Sequence, residues 1–380
     1  MVRSLYIHIP FCIRKCSYCD FYSLPFDSSL AEGYSRALIR EMELRSGEAS
    51  DLATVYLGGG TPTMLSAGRI RDLMESIRER FSLTPGAEVT IEANPRTLSP
   101  EKAEGLLEAG INRISIGVQS FNDAELLALG RSHNTGDALR AVEIAQKSGF
   151  TAISLDLMYG LPGQGMPEWE QSLAVALELG PVHISAYELT PEEGTPLHAG
   201  LSRGEITIPG EETIEEMYHR TIDMLAARGY RHYEISNFAL PGHECRHNLN
   251  YWERGEYLGV GAGAHSFIDG VRMENVRDLE AYLNAVGNGA VPRCGEMAIS
   301  ADEAVRELLF LGLRKTEGIA MNLLPRELRG GMEKAMEELV LHGLVSLTGD
   351  RLRLTRRGLL LSNSVIVRAL LCTDNFLPSQ

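Results

Sequence analysis

What this sequence lacks narrows the possibilities first. No apolar run approaches the 18 or more residues of a membrane-spanning helix; the richest stretch, 359–371, is interrupted by Ser362, Asn363, Ser364 and Arg368. Basic side chains are in deficit, 36 against 51 acidic ones for a formal charge of −15, which argues against a general nucleic-acid binder and against a polybasic membrane anchor. The first ten residues carry a His and a Pro where a signal peptide needs unbroken apolar sequence, so secretion is not expected and a cytoplasmic location is. Cysteine is scarce too: six in 380 residues are too few for a disulfide scaffold. What remains, 44% apolar and 23% charged residues, suffices for a buried core, and the length suggests two or three domains.

The first half alternates between two periods. Apolar runs rich in β-branched residues fall at 5–9, 53–57, 88–92, 113–118, 152–158 and 182–188, and helix-period stretches separate them at 30–46, 67–80, 100–109, 135–148 and 168–179. Ser99 before Pro100 reads as a helix start, and Gly110 and Gly149 as helix ends. Repeated βα units with short connections imply a parallel sheet covered by helices, either open or a full or partial barrel, with chemistry at the C-terminal strand ends. We expect an α/β fold with this unit over 1–205, an extension over 206–295 containing a helix near 214–228 and a strand near 230–235, and a third unit over 296–380. That last part reads as two helices, a strand–turn–strand around Gly349-Asp350 and a final helix, a winged-helix-like pattern. Its 11 acidic and 11 basic residues cancel, so despite Arg351, Arg353, Arg356 and Arg357 a DNA-reading wing has little electrostatic support.

Three of the six cysteines cluster. Cys12-Ile-Arg-Lys-Cys16-Ser-Tyr-Cys19 directly follows the first strand, whereas Cys245, Cys294 and Cys372 stand alone and read as buried hydrophobes or surface thiols. A structural zinc would need a fourth ligand, with His8 or His133 available. An iron–sulfur cubane held by three thiolates leaves one iron open to a non-protein ligand. The C-x3-C-x2-C triplet at the mouth of a βα array resembles the radical S-adenosylmethionine (SAM) superfamily, in which SAM chelates the open iron. Other strand ends agree. Gly58-Gly59-Gly60-Thr61-Pro62 follows the second strand without the Lys-Ser/Thr of a phosphate loop. Glu92, Gln119 and Asp156 end further strands, and Arg131 lies just past the fourth. Together they offer the acceptors and donors that a zwitterionic nucleoside needs.

Longer motifs extend the resemblance over nearly the whole chain. Tyr6-Ile-His-Ile-Pro-Phe-Cys12, Gly58-Gly-Gly-Thr-Pro-Thr63, Val118-Gln-Ser-Phe121, Leu129-Gly-Arg-Ser-His133 and Asp156-Leu-Met-Tyr-Gly-Leu-Pro-Gly-Gln164 are similar to the branch that holds the oxygen-independent coproporphyrinogen III dehydrogenases (HemN) and the HemW-type haem chaperones. The resemblance implies a partial TIM barrel of about six βα units, a HemN-type C-terminal domain, a 4Fe–4S cluster on Cys12, Cys16 and Cys19, and SAM contacts at Tyr6, Gly59, Gly60, Thr61, Glu92, Gln119, Arg131 and Asp156. Three details favour the chaperone side. Phe21 stands where the dehydrogenases carry a further cysteine, the first strand begins almost at Met1, and His247-Asn248-Leu249-Asn250-Tyr251-Trp252 matches the H-N-x-x-Y-W motif of that group.

That motif also has a direct reading. An imidazole can ligate haem iron and flanking aromatics can cover a macrocycle, which makes His247 the first candidate for haem, ahead of His243 and Cys245; the plain alternative is a buried histidine satisfied by Asn248 or Asn250. Gly259-Val-Gly261-Ala-Gly263-Ala264 only mimics a dinucleotide fingerprint, because no helix follows it. It is read as close packing or as a wall of the ligand site. The resemblance thus implies a haem chaperone that serves apo-haem proteins such as respiratory enzymes, with room for a homodimer, peripheral membrane contact during delivery and no nucleic acid. The alternative is radical oxidative decarboxylation of coproporphyrinogen III, so whether the chain is an enzyme stays open at this point.

Overall fold

The computed structural model describes residues 2–373. Six parallel strands form the centre: β1 (Val2–Ile9), β2 (Ala49–Gly59), β3 (Leu83–Ala93), β4 (Arg113–Gln119), β5 (Ala152–Tyr159) and β6 (His183–Glu188). The helices between them begin where the sequence offers caps. Asp27 accepts from Leu30 N at the start of α1 (Ser28–Leu44), and Ser66 from Arg69 N at the start of α2 (Ala67–Phe81). Ser99 caps α3 (Pro100–Glu108), and an Asn134–Asp137 capping box opens α4 (Thr135–Ser148), which closes on Gly149 at φ 106°. The α5 helix (Met166–Glu178) completes the cover.

The sheet is larger than the six expected strands. The chain runs through α6 (Glu211–Ala226), β7 (Arg231–Glu234), β8 (Asn237–Ala239), α7 (Arg246–Trp252) and β9 (Leu258–Val260). The strand order is β9-β1-β2-β3-β4-β5-β6-β8-β7, with β9 parallel to β1 and β8 antiparallel to β6. Among the described residues its two ends do not pair with each other, so this is an open, mostly parallel sheet extended at both edges, as in a partial barrel. Three further strands, β10 (His265–Ile268), β11 (Val271–Asn275) and β12 (Arg293–Ala298), make a small antiparallel sheet, with Asp269-Gly270 as the hairpin turn between the first two. Towards the C-terminus, helices Ala301–Gly312 and Arg326–Leu341 precede strands Val345–Thr348 and Arg351–Leu354, and Ile319–Ala320 pairs with the latter as a third strand. No helix among the described residues is long and apolar enough to cross a membrane.

The two faces of the central strands differ, because side chains alternate along a strand. On β5, Ile153, Leu155 and Leu157 belong to the apolar core, while Ser154 and Asp156 point to the other side. Register carries the pattern across the sheet: Glu92 pairs with Ser115, Gly117 with Asp156 and Asp156 with Ser185. The inner face is therefore polar and ends in a polar rim. One buried ion pair ties the edge strand β9 to this body. Arg45, 1% exposed, and Glu41, fully buried, meet at 3.3 Å at the end of α1. Glu41 also accepts from Gly261 N, Asn275 Nδ2 and Tyr282 OH, and Arg45 donates to Gly259 O. With its partners satisfied, the pair locks the glycine-rich segment in place.

Candidate functional site

Register explains why two distant sequence motifs meet. Ile9 pairs with Gly59 on the neighbouring strand, so the cysteine loop and the glycine loop leave the sheet side by side. Gly60 N donates to Ile9 O at 2.9 Å and Thr61 N to Phe11 O at 2.8 Å. The glycines are required by this contact: a Cβ on Gly60 would lie 2.8 Å from Phe11 O and 3.0 Å from Cys12 Sγ, and one on Gly59, at φ +116°, would enter the His8 ring. The close approach is thus first of all to the cysteine loop itself.

A cavity of about 390 Å³ opens at this rim. Cys12, Cys16 and Cys19 line it, together with Gly59, Gly60, Thr61, Glu92, Gln119, Arg131 and Asp156. All three thiols are half-buried and unbridged. Burial pushes Cys12 and Cys19 up, with Thr61 and the Phe21 backbone hydrogen bond opposing it. The Arg131 Nη1 donates to Cys16 Sγ at 3.4 Å and its Nη2 to Gly117 O at 2.6 Å, while its buried Nε has no partner among the described residues. Gln119 sits at φ 68° where strand register slips, a left-handed backbone that costs a non-glycine residue. Glu92 accepts from Tyr56 OH at 2.8 Å and Gly59 N at 3.1 Å, and burial pushes it up to about 7 despite them. Asp156, also raised by burial, accepts from Ser115 at 3.0 Å and 3.1 Å.

Tyr6 is the exception among the candidates for SAM. It lies under the rim on β1, stacks on Tyr56 at 6.2 Å and bonds His8 Nδ1 through its hydroxyl, and it faces a second cavity. Neither histidine considered for zinc faces the cysteines: His8 is held by Tyr6 and Tyr22 O, and His133 Nε2 by Val118 O. Among the described residues, no three His, Cys, Asp or Glu side chains converge as for a single metal ion. The donor set at the rim, three thiols spread around a cavity with an orphaned guanidinium nitrogen and buried carboxylates beside them, suits a larger inorganic cluster and a zwitterionic ligand.

The sequence reading missed Tyr187, Met158 and Ser115, which also line this cavity. Tyr187 near the end of β6 carried the same signal as Asp156 near the end of β5. Of the isolated cysteines, Cys245 is buried and Cys294 exposed; the side chain of Cys372 lies outside the described residues. Two arginines of the basic patch are engaged, Arg356 with Asp223 at 2.6 Å and Arg351 with Glu317 at 3.6 Å.

His247 lies deeper, beneath the rim. Helix α7 is capped by Glu88 of β3, which accepts from Arg246 N and His247 N. The imidazole is 1% exposed and stacks on Tyr56 at 5.1 Å. Its Nδ1 pairs with Thr54 Oγ1 at 2.8 Å and its Nε2 with Tyr251 OH at 3.0 Å, so both nitrogens are engaged, by other partners than the asparagines anticipated. Burial pushes His247 down to about 3, which keeps it neutral.

Comparison with known proteins follows the same lines. Residues 6–176 match the model of the radical SAM superfamily, and residues 299–361 that of the HemN C-terminal domain. The chain is 38% identical over 378 residues to the heme chaperone HemW of Lactococcus lactis subsp. lactis, covering 98% of this chain and 99% of that one. It is 39% identical to the Bacillus subtilis HemW, over 96% of this chain and 98% of that one. Among solved structures, coproporphyrinogen III oxidase (HemN) from Escherichia coli, described as a radical SAM enzyme, superimposes with a TM-score of 0.82 at 25% identity, covering 98% of this chain and 90% of that one.

Proposed function

This chain belongs to the heme chaperone HemW family within the radical SAM superfamily, and from that membership we propose that it binds haem and delivers it to haem-requiring apoproteins, respiratory enzymes among them. The observation that carries the proposal is the near end-to-end match with proteins named as heme chaperones. Phe21, in place of a further cysteine, supports the same side of the resemblance. In this reading the protein works in the cytoplasm, touches membranes only peripherally at delivery, and has a homodimer as its assembled form.

In the same reading Cys12, Cys16 and Cys19 hold a 4Fe–4S cluster, which when bound supplies an open iron for SAM and electrons for its sulfonium. The residues around it have separable tasks. Arg131 offers its unpartnered Nε to a carboxylate while Gly117 O and Cys16 fix its fork. Glu92 and Asp156 face the cavity as acceptors for hydroxyl and ammonium donors. Burial of both carboxylates keeps water from competing for those bonds. Gln119 adds an amide whose position is set by its left-handed backbone.

The test is turnover. The reconstituted, reduced protein should bind haem and should yield no vinyl-bearing product from coproporphyrinogen III in the presence of SAM. Catalytic formation of that product would overturn the chaperone reading in favour of radical decarboxylation.

A further inference from the structure

A second cavity, of about 330 Å³, lies on the other side of the cysteine loop. Phe21, directly after Cys19-Asp20, lines both cavities and is 65% exposed. Tyr22, Tyr251 and Tyr257 give the second one aromatic walls. Tyr6, His8 and Tyr251 in its lining are hydrogen-bonded within the protein, but two cationic or titratable groups are not. Arg277 stacks on Tyr22 at 5.6 Å yet makes no ion pair or hydrogen bond among the described residues. His265, half-exposed at the start of β10, has one ring nitrogen 3.9 Å from Glu274 of the adjacent strand and none of its nitrogens committed to a hydrogen bond. Gly263, at φ +70°, keeps the floor open, since a Cβ there would press on Arg277 Cγ at 3.4 Å.

We propose that this cavity is where haem docks, with His265 as the axial ligand of the iron and Arg277 as the partner of a propionate; the proposal rests on the chaperone reading and names its site. An imidazole with a carboxylate behind it is the usual form of a metal-ligating histidine. Aromatic walls suit a flat macrocycle, and an unpaired guanidinium suits a carboxylate. The volume is at the low end for small-molecule sites, so one edge of the macrocycle is held and the other stays outside, which is what a cargo to be handed on requires.

The same geometry gives His247 a different task. It grips Tyr251 at 3.0 Å, and Tyr251 meets Tyr257 edge-on at 4.7 Å. His247 is thus a positioning residue for the aromatic wall, and through Tyr56 and Glu92 it also touches the frame of the cluster cavity. The H-N-x-x-Y-W motif connects to haem through its tyrosine rather than its histidine.

Haemin titration of the full-length protein, followed in the Soret region and by resonance Raman spectroscopy, tests this. His265→Ala should weaken haemin binding on the order of tenfold or more and remove the histidine-ligated signature, and added imidazole should restore that signature. Arg277→Gln should weaken binding with the ligation signature kept. His247→Gln, which keeps a hydrogen-bonding side chain, should retain the signature. An unchanged circular dichroism spectrum and cluster content show that each variant is folded. A wild-type signature in His265→Ala, or its loss in His247→Gln with retention in His265→Ala, would overturn the proposal while leaving the chaperone reading intact. Absence of specific haemin binding by the wild type would remove both.

Discussion

The rim over the cysteine loop and the segment from 245 to 277 face each other across Phe21, and each lines a cavity, yet they are built on different principles. At the rim most functional side chains lie on the outer part of a parallel strand or in the loop after it, so the sheet's register aligns residues that are far apart in sequence; Arg131 reaches in from beyond the helix Asp123–Ala128. Glu92, Ser115 and Asp156 are held by backbone pairing that would persist if the side chains changed. Of the second segment, only the three-residue strand β9 joins the central sheet. Its position depends on side chains reaching from elsewhere: Glu41 and Arg45 on Gly259 and Gly261, Glu88 on α7, Thr54 on His247. A rim of this kind tolerates loss of a ligand contact without unfolding, whereas the second segment links its shape directly to buried polar contacts.

The sharpest way to break that comparison is at the cysteines, where the effect should be all or none. Ala at Cys12, Cys16 or Cys19 should abolish bound iron and sulfide after anaerobic reconstitution, whereas Cys245→Ala and Cys294→Ala should keep both. Retention of a full cluster without one of the three would mean that a different ligand set holds it. Gly60→Val belongs with this group, because its side chain would displace the Cys12 loop, so cluster content as well as SAM binding should fall.

Next in size is the lock on the second segment. Glu41→Ala leaves Arg45 with Glu48 at 2.7 Å but strips Gly261 N, Asn275 Nδ2 and Tyr282 OH of their buried acceptor, and denaturant unfolding should show a loss of about 1–3 kcal/mol for each group left unsatisfied. Asp156→Ala at the rim should instead leave global stability nearly unchanged and weaken SAM binding by about 1.5–3 kcal/mol, read by calorimetry. Equal destabilisation by both would erase the distinction between the regions.

These contrasts also mark what could be seen in the sequence. The parallel sheet was legible because short apolar runs rich in β-branched residues alternate with capped helices; Glu92, Gln119 and Asp156 were legible because each falls at or near a strand end, and Arg131, which lies beyond the helix Asp123–Ala128, through the Leu129–His133 motif. The edge strand Leu258–Val260 was not: three residues with a glycine at their centre and another after them carry no period, and their pairing with Leu5–Ile7 joins positions some 250 apart. The partners of His247 were equally hidden, since Thr54 lies 193 residues away and nothing local announces it. The glycines 259, 261 and 263 were correctly set apart from a dinucleotide fingerprint, but the close contacts of Gly259 with His265 O and of Gly261 with Tyr34 OH and His8 O were visible only once β1, α1 and β9 were packed together.

The smallest expected effect concerns pH. Glu92 is raised by burial to about 7, so its contribution to folding stability is fully present below the ordinary carboxylate range and is lost as pH rises from about 4.5 towards 7. Ligand hydroxyls prefer the ionised form, so SAM affinity should move the other way, about tenfold weaker at pH 6 than at pH 8. Glu92→Gln should flatten that profile; a wild-type slope in the variant would assign the titration to another group.

The central claim, that the protein carries haem in order to give it up, is tested most directly by transfer. The haem-loaded protein is mixed with an apo-haem respiratory enzyme or, in parallel, with a passive scavenger such as apomyoglobin, and loss of its Soret band is followed by stopped flow. The account predicts faster release to the apo-enzyme, with a rate that rises with acceptor concentration. Release at one rate to both acceptors, independent of their concentration, would contradict it.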